Sequence, residues 1–164
     1  MKKKYGVLFV CTGNTCRSPM AEGLLKIKLL GEFNRRISVK SAGILGISGS
    51  SATAHAIDAV FDYGADITKH VACGISEALL KESNLVLCMA RNHREYLIER
   101  FPHFQDNYFL LKDFAAASKS AAPDIIDPIG ATLAGYRECC QIIDEEIERI
   151  LPVILRFVDD KFSN

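Results

Sequence analysis

The chain has no excess of either charge: twenty lysines and arginines face twenty aspartates and glutamates. A protein whose main partner is nucleic acid ordinarily shows a basic surplus, so this balance argues against that class. It places no restriction on a small phosphate site, where one arginine and a few backbone amides suffice. Long hydrophobic runs are missing too. Nothing approaches a membrane span, and the apolar stretch after Met1-Lys2-Lys3-Lys4 is too short for a signal sequence and soon meets Arg17. The expectation is a cytoplasmic protein with neither a membrane nor a nucleic acid as partner. Internal repeats and low-complexity tracts are absent, and no cysteine pair has the spacing of a zinc site. In a reducing compartment Cys11, Cys16, Cys73, Cys88, Cys139 and Cys140 do not read as a disulfide framework. Cys88, inside Leu85-Val86-Leu87-Cys88-Met89, reads as a buried thiol acting as a small hydrophobe, and Cys139-Cys140 in a helical pattern read the same way.

What is present alternates between strand and helix patterns. Val7-Leu8-Phe9-Val10 reads as a buried strand, and Met20, Leu24 and Ile27 then follow at helical spacing. Ile37-Ser38-Val39-Lys40 alternates as a strand ending in Ser41-Ala42-Gly43. A Gly/Ser-rich connection over residues 46–51 leads to a helix carrying Ile57, Val60 and Phe61, closed by Gly64. A short helix over Ser76–Glu82, a buried strand over Leu85–Met89, a helix over Asn92–Arg100 and a strand over Tyr108–Leu111 come next. Residues 112–127 lack periodicity, and a loop of that length is usually functional or mobile. Leu133, Tyr136, Cys140, Ile143, Ile147, Ile150, Ile154 and Phe157 mark a last helix, which Pro152 should kink or split. Together these predict a single α/β domain over residues 1–164, a flavodoxin-like open parallel sheet of about four strands with helices on both faces.

In such sheets ligands bind beyond the carboxyl ends of the strands. The loop at the end of the first strand, Cys11-Thr12-Gly13-Asn14-Thr15-Cys16-Arg17, is the chemically loaded segment. Ser18-Pro19 behind it reads as a helix start, Ser as N-cap and Pro at the first helical position. A thiol must ionise to attack, and both a helix N-terminus and a nearby arginine favour the anion. Backbone amides wrapped around a centre form an anion nest, with Gly13 and Asn14 as the residue types that tolerate the dihedrals involved. Arg17 offers a planar, two-pronged donor to phosphate oxygens, and Ser18 a hydroxyl to the thiolate. Hydrolysis of a phosphate ester through a phosphocysteine also needs an acid for the leaving group and then a base for water. Asp127, before Pro128 at the end of the long loop, is the candidate, although an aspartate there is also an ordinary residue for the start of a helix. No cofactor or metal is called for.

These residues resemble the low-molecular-weight protein-tyrosine-phosphatase family. The match is Val10-Cys11-Thr12-Gly13-Asn14-Thr15-Cys16-Arg17-Ser18-Pro19 and Asp127-Pro128, with Ser41-Ala42-Gly43, Thr68-Lys69-His70 and Leu87-Cys88-Met89 between them. The resemblance implies Cys11 as nucleophile, Arg17 as phosphate clamp and Asp127 as acid and then base, acting on a phosphorylated protein. It implies loop-shaping and thiolate-stabilising roles for Asn14 and Ser18, with Ser41 and His70 holding Asn14. Cys16 matches a second loop cysteine that protects the nucleophile through a reversible disulfide. Thr15 makes the loop look like that of the bacterial protein-arginine phosphatases in the same family, where this threonine favours phosphoguanidinium. Ile129 and Gly130 depart from the aromatic residues that flank phosphotyrosine in the tyrosine phosphatases, and also from the Phe that arginine phosphatases tend to keep. The reading leans to phosphoarginine, with phosphotyrosine next. An arsenate reductase on the same loop would need two closely spaced further cysteines, which Cys73 and Cys88 are not. A non-catalytic phosphate-binding module would not need Cys11, Arg17 and Asp127 together.

Overall fold

β1 (Tyr5–Cys11) is buried at every position, as a strand covered on both faces must be. It pairs in parallel with β2 (Ile37–Gly43) on one side and with β3 (Leu85–Cys88) on the other. β4 (Tyr108–Leu110) continues from β3, so the order is β2-β1-β3-β4 in a computed structural model that describes residues 4–46 and 48–163. The basic Met1–Lys3 stretch and residue 47 of the Gly/Ser-rich connection lie outside the described residues. The chain goes from β1 to β2 and then crosses back to β3. This puts the topological switch point between β1 and β3, with Cys11 as the last residue of β1.

Alternation along β1 divides the core. Val7, Phe9 and Cys11 pack under α1 (Arg17–Lys28), α3 (Ala54–Phe61) and α6 (Leu133–Phe162). Leu8 and Val10 pack on the opposite face, where Leu80 and Leu97 arrive from α4 (Glu77–Lys81) and α5 (Arg91–Arg100). Helices therefore cover both faces. Two short elements escaped the periodicity: α2 (Phe33–Arg36) and the 3-10 turn over Pro102–Asn107 hold no fully buried residue, each packing only one part-buried phenylalanine, Phe33 and Phe104, against the core. Without a buried face there is no apolar repeat to read. Among the described residues, no helix is long and apolar enough to cross a membrane.

Several details differ from the sequence expectations. In α1 the apolar stripe runs through Leu25, while Ile27 is 39% exposed. In α3, Ala56, Ala59 and Val60 face the core and Phe61 is exposed, because small residues let α3 approach α1 and α6. Pro152 does not split α6, which runs unbroken from Leu133 to Phe162. Its buried face of Ile143, Ile147, Ile150, Ile154 and Val158 carries the helix past the proline. Phe157 is partly exposed, and Val158 takes the core position. Cys88 is fully buried, and burial pushes its thiol up to about 12.

Candidate active site

The start of α1 is not where Ser18 would put it. The helix begins at Arg17 with Cys16 at the N-cap, and the Cys16 side chain makes no capping bond. Ser18 is instead engaged inside the loop. Its Oγ lies 2.8 Å from Cys11 Sγ and accepts from Asn14 Nδ2 at 2.8 Å. The other Nδ2 proton of Asn14 goes to Ser41 Oγ at 2.9 Å, and Ser41 Oγ donates in turn to Glu22, a carboxylate that can only accept. Asn14 Oδ1 accepts from the Cys73 backbone N–H at 2.9 Å, which settles which way the amide faces. With Asn14 donating to Ser18, the Ser18 hydroxyl proton is left to point at the Cys11 sulfur. Asn14 N–H also approaches that sulfur, at 3.3 Å. Donation thus runs outward from the Asn14 amide in two directions, through Ser41 to Glu22 on one side and through Ser18 to the Cys11 sulfur on the other.

The loop's carbonyls are turned outward and taken up. Ile44 N donates to Cys11 O, Leu45 N to Thr12 O, Thr53 N to Thr15 O and Met20 N to Cys16 O. His70 Nε2 donates to Asn14 O at 2.8 Å, since a carbonyl cannot donate back. Among the described residues, the N–H groups of Gly13, Thr15, Cys16, Arg17 and Ser18 have no acceptor, so the loop presents amide protons where its carbonyls have been withdrawn. The left-handed residue is Asn14 (φ 57°) rather than Gly13. The side chain's hydrogen bonds hold that conformation in place of glycine's freedom. Gly43 is required for a different reason. A Cβ there would meet Thr12 O at 2.6 Å and Asn14 N at 2.9 Å, because the loop lies directly on the end of β2.

Arg17 is 4% exposed. Its Nη1 donates to Ile125 O at 2.8 Å, and its Nη2 to Thr12 Oγ1 at 3.3 Å and Asp127 Oδ2 at 3.2 Å. Its Nε is buried without a partner. A buried guanidinium N–H beside a ring of unaccepted amides is a donor set for an oxyanion. The late loop reaches this set because its end is tied down. Ile125 N donates to Met89 O just past β3, and Asp124 accepts from Arg91 through both the backbone and the guanidinium. Asp127 forms a turn of its own, its Oδ1 accepting from Ile129 N. It is not a helix cap. Thr132 caps α6, and the Asp127 carboxylate, 37% exposed, faces Arg17.

The chain matches the family described as "Low molecular weight phosphotyrosine protein phosphatase" over residues 6–160. It belongs to that family. A Bacillus subtilis (strain 168) relative named "Protein-arginine-phosphatase" is 33% identical over 88% of this chain and 93% of its own length. A Ralstonia nicotianae relative named as a probable low molecular weight protein-tyrosine-phosphatase is 32% identical over 90% of this chain and 94% of its own. The structure titled as an arginine phosphatase from Geobacillus stearothermophilus superposes with a TM-score of 0.84 and 35% identity, covering 96% of this chain and 97% of that one. The protein is therefore a cysteine-dependent phosphatase of low molecular weight, with the parallel α/β fold of its structural neighbours.

The structure gathers Cys11, Thr12, Gly13, Asn14, Thr15, Cys16, Arg17, Ser18, Ser41, His70 and Asp127 around one loop. It also recruits residues that sequence reading passed over. Glu22 lies one helical turn beyond Ser18, at the spacing that places both on one face of α1. His93 lies just past β3, the strand across the switch point from β1. Its Nδ1 accepts from Ala90 N, and its Nε2 reaches Thr12 Oγ1. Tyr136 of α6 puts its hydroxyl 3.3 Å from Cys16 Sγ. Burial and then the Cys16 contact push the phenol up to about 12, so it stays protonated. Both loop cysteines are free thiols.

Proposed function

We propose that this phosphatase hydrolyses phosphoarginine side chains of proteins through a phosphocysteine on Cys11, in the cytoplasm and without a cofactor. The carrying observation is the donor set itself: the amides of Gly13, Thr15, Cys16, Arg17 and Ser18 and Arg17 Nε, all without an acceptor among the described residues, arranged about a sulfur that receives the Ser18 hydroxyl. The Cys11 thiolate attacks phosphorus while Asp127 gives its proton to the departing guanidino nitrogen as the P–N bond breaks. Asp127, now a carboxylate, takes a proton from water as that water attacks the phosphocysteine. Phosphate leaves, and the Cys11 thiolate returns. The loop amides and Arg17 stabilise the charge on the equatorial oxygens through both steps. Asn14, Ser41 and His70 hold the loop in shape. Cys16 stands ready to cap an oxidised Cys11 as a disulfide.

Two things support phosphoarginine. Relatives from Bacillus subtilis and Geobacillus stearothermophilus carry that activity in their names. Thr15 keeps a polar hydroxyl in the loop whose only hydrogen-bond contact among the described residues is a weak one, 3.7 Å from Cys16 Sγ. A second reading, phosphotyrosine, draws on the Ralstonia relatives and on the exposed Ile126 and Ile129 on either side of Asp127-Pro128. These could lie against a ring. The deciding measurement is kcat/KM on phosphoarginine and phosphotyrosine peptides for wild type and Thr15→Ile. Wild type should favour phosphoarginine, and the substitution should move the ratio about tenfold towards phosphotyrosine. A wild-type preference for phosphotyrosine would overturn the choice of phosphoresidue, and full activity of Cys11→Ser would overturn the mechanism.

A further inference from the structure

The guanidinium of Arg17 is held at three points, and one of them is itself held. Ile125 O is a fixed backbone acceptor and Asp127 a carboxylate in a self-contained turn. The third, Thr12 Oγ1, is a hydroxyl that would rotate freely about its Cα–Cβ bond unless something else fixed it. What fixes it is His93. The imidazole is fully buried. Its Nδ1 accepts the Ala90 backbone N–H at 3.0 Å, so in the neutral ring the proton sits on Nε2 and is donated to Thr12 Oγ1 at 2.9 Å. Burial and then the Arg17 charge push the His93 pKa down to about 4, against the upward pull of Asp127 and Asp124, so the ring is neutral at working pH. Thr12 Oγ1 therefore accepts from His93 Nε2 and from Arg17 Nη2, and both lone pairs are occupied. The two Nη2 protons divide between Thr12 and Asp127. With Nη1 on Ile125 O, the plane of the guanidinium is set and its Nε edge is left for the phosphoryl group.

We propose that His93 is a positioning residue for the phosphate clamp: through the Thr12 hydroxyl it sets the plane of Arg17, although it cannot itself touch substrate. This rests on the phosphate-binding reading of the Cys11–Arg17 loop. Without the His93 donor, the Thr12 hydroxyl is free to turn away. Arg17 Nη2 then keeps only Asp127, which ties the acid more tightly to the clamp.

Two substitutions separate this role from a merely structural one. In His93→Asn the amide Oδ1 takes the place of Nδ1 and still accepts from Ala90 N–H, but no donor reaches Thr12. Thr12→Val removes the hydroxyl at nearly constant shape, and Thr12→Ser restores it. With p-nitrophenyl phosphate, His93→Asn and Thr12→Val should each lower kcat/KM by about tenfold, and the double variant should be no worse than either alone. Inorganic phosphate, followed by calorimetry, should bind more weakly by a similar factor of about ten in the same variants, and Thr12→Ser should stay within about threefold of wild type. Losses that multiply in the double variant, or a fully active Thr12→Val, would overturn the proposal. If His93→Asn does not fold, the Thr12→Val and Thr12→Ser pair decides by itself. A wild-type protein that binds phosphate but hydrolyses nothing would refute the catalytic reading above, while the phosphate affinities would still judge the role of His93.

Discussion

The floor and the rim of the Cys11 loop are built to different standards. On the floor, Asn14 and Ser18 are fully buried. Every Asn14 side-chain hydrogen-bonding group has a partner, and donation runs outward from its amide both to Ser41 and Glu22 and through Ser18 to the sulfur. On the rim, Asp127 is more than a third exposed, Ile126 and Ile129 are largely in solvent, and Thr15 makes only a weak side-chain contact. Floor residues are over-determined, so their positions do not depend on which phosphoprotein arrives. Rim residues hold little of the fold together and can change with substrate. On the proposed reading, the difference divides the work: the reaction rests on the floor together with Asp127, and the choice of phosphoresidue on the rest of the rim.

The comparison breaks most visibly at Asn14. Asn14→Ala leaves Ser18, Ser41 and the Cys73 N–H without their partner and places alanine at φ 57°. Urea denaturation should show a loss on the order of 3–5 kcal/mol, with activity falling in parallel. A loss under about 1 kcal/mol would mean that the floor is not over-determined.

The rim should behave the opposite way. Asp127→Asn keeps the Oδ1 acceptor for Ile129 N but supplies no acid, so kcat should fall by about 10²–10³-fold. Stability should change little, because Arg17 Nη2 keeps an oxygen acceptor in Thr12 Oγ1 and the carboxylate being replaced is more than a third exposed. A marked drop in Tm would place Asp127 with the floor instead.

The smallest effect comes from His93, which braces the floor from the β3 side. Its folded pKa, about 4, lies below the roughly 6.5 of an unfolded histidine, so the unfolded chain binds more protons between those values. The contribution is complete above about pH 6.5 and is lost as pH falls towards 4, by about 3 kcal/mol at most. Unfolding free energies compared between wild type and His93→Asn across that range isolate it from the carboxylates, including Asp124 and Asp127 beside the ring. Parallel pH curves for the two proteins would contradict a buried neutral histidine.

Much of this was legible before any coordinates. The four strands and the main helices stand close to where periodicity puts them, because each buries an apolar face that repeats in sequence. The reaction class was legible from Cys11, Arg17 and the loop between a strand and a helix, since a local segment bears nearly all of it. Errors fell where a side chain had two uses. Ser18 looks like an N-cap and approaches the sulfur instead, whereas Asp127, which could equally have started a helix, faces Arg17 as the reading expected. Glu22 and His93 were invisible because their importance lies in a partner's hydrogen-bond direction, which no spacing encodes.

By itself, then, the sequence determined the parallel α/β class and the phosphatase family, which depend on apolar repeats and on the local Cys11–Arg17 motif. Only the tertiary structure decided which proton points where. Ser41, Cys73 and His93 are far in the chain from Thr12, Asn14 and Glu22 and meet them because β2 and β3 flank β1 in register, delivering residues at and beyond their carboxyl ends to one loop. Hydrogen-bond direction is a property of that meeting, since each donor is assigned only when its neighbour's acceptors are already occupied.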